Sequence, residues 1–247
     1  MQNVSPARRS ARRIPPVGGG LLVALLVLAS PVFGQQEYVG RYDLFGGFTY
    51  LNSPHISLAE KGFHLQGGVR VVRWLSLGFD YSRSTGDLTL TPSLLVPALQ
   101  TQIDGQIAQL QGLGQLPASY QLIVPAHSTT QTFAGGPQFS FRHWKYLTLF
   151  VRPDGGAIHE VAVPNAAAGD LFAAGVVQQL APSGNKIDTV IFYGFGGGAD
   201  VNVTKHFGFR VQADFVHDHL FKDVLKDARN TVRFSIGPAV QFGGNVK

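Results

Sequence analysis

The stretch that decides the fold is TVRFSIGPAVQF, residues 231–242. Val232, Phe234, Ile236, Pro238, Val240 and Phe242 fall on one face, and Thr231, Arg233, Ser235, Gly237, Ala239 and Gln241 on the other. Successive strand side chains point to opposite sides, so a period of two sustained over this length predicts a strand with one apolar and one polar surface. Working back along the chain, the same alternation recurs near 41–51, 62–72, 75–84, 129–142, 146–158, 188–201 and 206–217, giving eight strands. Their apolar faces carry residues such as Leu44 and Phe48, Phe63 and Leu65, Leu77 and Phe79, Phe133 and Phe141, Leu149 and Val151, Tyr193 and Phe195, and Phe209 and Phe215. Each run is long enough to supply the 9–11 residues that a tilted strand needs to cross a bilayer.

The opposite faces carry charge: Asp43, Arg70, Asp80, Arg152, Asp154, Asp200, Arg210, Asp214 and Arg233. Alternation alone does not say which face is inside. Three features favour a barrel with charge inside and apolar side chains outside. The polar face mixes Arg and Asp with Gly47, Gly68, Gly78, Gly136, Gly156, Gly194, Gly196, Gly198 and Gly237, and glycine makes room for long paired side chains in a narrow lumen. The connections alternate short (near 73–74, 142–145 and 202–205) with long (52–61, 85–128, 159–187 and 218–230), as the two sides of a membrane barrel do. Trp74, Trp144 and Tyr146 gather at the short turns, where an interfacial aromatic girdle belongs. A soluble periplasmic barrel with an apolar ligand requires the opposite orientation.

The N-terminus predicts export. Arg8, Arg9, Arg12 and Arg13 precede a nine-residue apolar run at 21–29, far short of the roughly 20 residues of a spanning helix. Residues 1–34 are therefore expected to be a cleavable signal peptide, cut after Gly34, and 35–247 a single barrel domain. The four arginines leave with the leader, so the net charge of +5 falls to +1 and a nucleic-acid partner loses its main support. With no cysteine in the chain, disulfides, thiolate metal sites and a lipidated mature N-terminus are excluded.

Of the long connections, 85–128 contains Leu99, Ile103, Ile107, Leu110 and Leu113 at helical spacing, opened by Pro97 and closed by Gly112 or Gly114. Such a helix either packs on its own loop, which is the favoured reading, or grips a partner. The 194–199 run has a loose nucleotide-binding spacing, but it sits in a strand pattern and opens no helix. His217 and His219 flank Asp218 at the end of the seventh strand, where a metal or general base is conceivable; a solvated rim is the favoured reading. No nucleophile stands out beside them, and of the mature chain's glutamates, Glu37, Glu60 and Glu160, none is placed in a strand core.

The phrases DLFGGFTYL (43–51), FAGGPQFSFR (133–142), GFGGGADVNV (194–203), FRVQADFV (209–216) and VRFSIGPAVQFGG (232–244) make the chain resemble the small outer-membrane β-barrel proteins of the OmpA/OmpX type. Members usually end on an aromatic residue, whereas here five residues follow Phe242. The resemblance implies an all-β fold, an eight-stranded antiparallel up-and-down transmembrane β-barrel with long extracellular loops, in a bacterial outer membrane. It also implies outer-membrane lipid, lipopolysaccharide and the barrel-assembly machinery as partners. The expected role is structural, adhesive or loop-mediated binding of an extracellular partner, with a largely plugged lumen, no cofactor and no enzymatic activity. A narrow solute or ion channel is the alternative, and a loop-sited enzyme a weaker one.

Overall fold

Every alternating segment forms a strand in the computed structural model, which describes residues 36–247; the signal-peptide expectation for 1–34 lies outside those residues. The strands are β1 (Gly40–Ser53), β2 (Leu58–Val72), β3 (Leu75–Leu90), β4 (Val124–Phe141), β5 (Leu147–Pro164), β6 (Lys186–Asn202), β7 (Phe207–Asp218) and β8 (Arg229–Asn245). Each pairs antiparallel with its sequence neighbours, and β1 pairs with β8, so the sheet closes on itself as an up-and-down barrel. Closure removes the unpaired edges that an open sheet would expose, the condition for placing strands in lipid. The tail after Phe242 takes part in closure: the Asn245 side chain accepts from the Val39 amide at 2.9 Å, and the Val246 amide donates to Val39 O at 2.9 Å.

The two faces divide as the alternation predicts, and the tertiary structure fixes their direction. Phe48, Leu65, Phe79, Phe141, Phe195, Phe209, Phe215 and Ile236 point outward and are about half exposed, while Asp80, Arg152, Arg210, Asp214 and Arg233 are buried in the lumen. An apolar exterior around a charged interior is the arrangement that lipid, not water, stabilises, so the chain is a transmembrane barrel and not an inward-facing soluble one. Trp74 and Tyr146 stand more than half exposed at the short turns, with the Trp74 ring stacked on Phe139. No helix among the described residues is long and apolar enough to cross a membrane.

The strands run further than their apolar pattern. At the long-loop end β2 starts at Leu58, β3 reaches Leu90, β4 begins at Val124 and β5 extends to Pro164. Above the apolar belt the outward positions become Lys61, Arg83, Gln131, His159 and Thr189, so the contrast between faces fades there while backbone pairing continues. Glu60 and Glu160, expected outside strand cores, consequently lie within β2 and β5, both fully buried.

Candidate functional site

The lumen is filled by side chains in three tiers. Nearest the short turns, Arg210 binds Asp200 through Nε at 2.6 Å and Nη2 at 2.9 Å, reaches Asp43 at 3.3 Å, and donates to Gln66 at 3.0 Å. Its guanidinium lies 4.8 Å from the Phe150 ring centroid and 5.6 Å from that of Phe45. Arg70 donates to Gly40 O at 2.5 Å and to Gln241 at 3.2 Å, and lies 3.9 Å from Asp43. Arg142 closes this end through Gln36 at 3.0 Å and Thr148 at 3.1 Å.

At the waist, Arg233 binds Asp214 through Nε at 3.0 Å and Nη2 at 2.9 Å, donates to Ser82 at 3.0 Å, and stands 3.6 Å from Asp80. Arg152 bridges Asp80 and Asp154, and Gln212 donates to both oxygens of Asp214 at 2.8 and 2.9 Å. His64 is buried against Asp80 at 3.8 Å and Ser235 at 2.9 Å. Glycines create the needed space: a Cβ at Gly196 would collide with the Asp214 carboxylate, and one at Gly68 with that of Asp43. A charge buried at this depth is tolerated only when paired and hydrogen-bonded.

All nine charged residues read from the alternation thus face the lumen and are at least nine-tenths buried. The outermost tier is one that the sequence reading missed. Arg229 binds Glu160 at 2.6 Å and Asp218 at 3.3 Å, Ser128 donates to Glu160 at 2.8 Å, and Thr130 donates to Glu60 at 2.9 Å. The available signal was the same period of two: Glu60 is four residues before His64, Glu160 six after Asp154, and Asp218 four after Asp214.

Above this tier the long connections fold into a cap. Residues 97–112 form helix α1 (Pro97–Gly112), and Leu171–Leu180 form helix α2, whose N-terminus is capped by Asp170 Oδ1 accepting from the Ala173 amide at 2.8 Å. Ile103 is buried and Leu99 and Ile107 pack against the cap's apolar core, so α1 lies on its own loops. Leu110 is partly exposed, and Leu113 departs from the expected stripe: it follows the helix and is 64% exposed, because the chain turns away at Gly114 with φ of 70°. The connections are tied to one another. Tyr120 donates to Asp170 at 2.8 Å, the Val96 amide donates to Val224 O at 2.8 Å, and His55 meets Asp227 at 3.0 Å. Burial and the Asp170 carboxylate hold the Tyr120 phenol above its ordinary pKa.

The histidine pair lies outside this construction. His217 bonds Asn230 at 2.7 Å and packs edge-on against His219 at 5.1 Å, whereas Asp218 between them turns into the lumen. Among the described residues, no group of three or more potential metal ligands comes together. Gly194, Gly196 and Gly198 line the inner face of β6, where Gly194 admits the Asp154 carboxylate and Gly198 the Phe150 ring.

No protein-family model and no curated protein matches the chain. Among solved structures it is similar to Neisserial surface protein A, at 11% identity and a TM-score of 0.49, over 81% of this chain and 96% of that one. It is also similar to the attachment invasion locus protein Ail of Yersinia pestis (10% identity, TM-score 0.44, 82% and 99% covered). A third is the outer membrane protein OprG of Pseudomonas aeruginosa (10% identity, TM-score 0.43, 85% and 99% covered).

Proposed function

We propose that the chain is a non-enzymatic outer-membrane protein in which a sealed barrel anchors a folded external cap, and that the cap carries a binding role. One observation supports this above the others: three tiers of charged and polar side chains, most of the charges in ion pairs, fill the lumen, and the cap's apolar core closes over them. Eight strands leave an interior that side chains just fill, so the barrel is an anchor and not a conduit. The apolar belt meets outer-membrane lipid, with lipopolysaccharide around the cap and the barrel-assembly machinery as the insertion route.

Three measurements on the full chain test this. Folded protein should migrate differently in electrophoresis before and after boiling. Planar bilayers containing it should show no stepwise conductance. A thiol-reactive, membrane-impermeant label should reach Leu113→Cys on intact cells and not His143→Cys, which lies at a short turn. Large conductance steps, or recovery of the protein in soluble form without detergent, would overturn the proposal.

A further inference from the structure

The cap is not packed solid, and we infer that it holds a small, uncharged, apolar molecule in a pocket between α2 and the outer rim of β3, β4 and β5. This rests on the reading of the cap as the binding element and names the class of its ligand. Leu88, Val124, Val176, Leu180, Phe221 and Leu225 form the walls of a cavity of about 60 Å³ that opens to the outside. That is several times the roughly 10–15 Å³ that one water needs, in a concave and mainly apolar lining of the kind that small-molecule sites have. A void in a packed apolar core costs stability, so a cap serving merely as a stopper would fill it with side chains.

The perimeter explains why the void persists. Leu95 and Leu225 form an isolated antiparallel bridge, Tyr120 is tied to Asp170, and the Phe221 amide donates to Asp188 Oδ2 at 2.6 Å. Phe221 is held at φ of 54°, a conformation that bulky residues rarely adopt, with its ring buried in the wall. The walls are pinned around the pocket by polar ties instead of by contact across it.

The charges select the ligand class. Glu160 at the floor is satisfied by Arg229 and Ser128, and Lys186 at the mouth is paired with Asp223. Neither ion needs a counter-charge from a ligand, and a charged ligand would lose its hydration with no free partner. A macromolecular partner does not enter a concavity of this size. Gln36 and Val246 are both bonded at the opposite mouth, to Thr148 and Val39.

The test uses the full chain in lipid nanodiscs, with labelled valine and leucine methyl groups followed by NMR during titration with toluene and, separately, with octanoate. Val176, Val177 and Leu180 methyls should shift saturably with toluene, while the lipid-facing Leu77 and Val211 methyls report only linear partition into the bilayer. Ala162→Phe, which adds a ring to the lining, should weaken the saturable response at least about tenfold, as loss of a few buried methylene equivalents implies. Val177→Trp fills the pocket from α2 and serves if Ala162→Phe loses the gel mobility shift. Pocket methyls that follow Leu77 and Val211 linearly, a saturable shift untouched by the filling variant, or tenfold tighter binding of octanoate would each overturn the inference. The reading beneath it fails separately: a chain that binds toluene but conducts in steps keeps the pocket and loses the sealed anchor.

Discussion

Replacing Arg233 with methionine removes one guanidinium from the waist and little volume, so it reads the electrostatics of the lumen directly. In the native barrel that guanidinium makes two contacts with Asp214, at 2.9 and 3.0 Å, one with Ser82 at 3.0 Å, and stands 3.6 Å from Asp80. After substitution Asp80 keeps Arg152, but Asp214 retains the neutral amide of Gln212. A buried carboxylate stripped of its cation costs about 3–5 kcal/mol. The double variant Arg233→Met, Asp214→Asn removes both charges and still leaves the Gln212 amide an acceptor, so most of that cost should return, with a coupling energy of at least about 2 kcal/mol. The assay is equilibrium urea unfolding in lipid vesicles, followed by Trp74 and Trp144 fluorescence and by the gel mobility shift. If the single variant costs under about 1 kcal/mol, or the two substitutions add without coupling, the lumen is hydrated and its charges screened like surface pairs. The sealed interior would then be refuted.

Other consequences are as direct. Ile236→Arg puts a cation on the lipid-facing side of β8, where Ile236 is 54% exposed, and should destabilise the barrel by about 2–4 kcal/mol if that level is mid-bilayer, measured by the same unfolding assay. Gly196→Val drives a side chain into the space of the Asp214 carboxylate and should abolish the mobility shift of folded protein, whereas Gly175→Val on α2, where nothing crowds a Cβ, should preserve it. Tyr120→Phe should remove from an ultraviolet titration a tyrosine that ionises at higher pH than an unperturbed phenol, since burial and then the Asp170 carboxylate favour the protonated donor; it should also speed hydrogen exchange across 171–180 by loosening the Asp170 cap.

How far the sequence could be read follows from where the two faces contrast. Within the apolar belt each strand alternates an aromatic or aliphatic residue with a small or charged one, and all eight are legible there, as in Phe207 to Val216. Beyond the belt water replaces lipid, Lys61, Arg83 and His159 succeed the phenylalanines, and the alternation becomes polar against polar. The pairing of β2 and β5 continues regardless, because backbone hydrogen bonds do not depend on that contrast, and so Glu60 and Glu160 lie within strands where the alternation predicts none. Leu113 continues the helical period in the letters, while the helix itself ends at Gly112 and the backbone turns at Gly114 with positive φ.

The sequence by itself determined the strand number, the alternation of the connections and which residues share a face, because these are local consequences of a two-residue period and of turn chemistry. Which face points inward, which carboxylate meets which guanidinium, and the closing of four connections into a cap with a hollow centre were decided only by the tertiary structure. Arg229 and Glu160 are 69 positions apart and Arg210 and Asp43 are 167 apart, and such pairs meet only when the sheet closes. Closure converts a pattern along the chain into a distance across a lumen, and no local period encodes that distance.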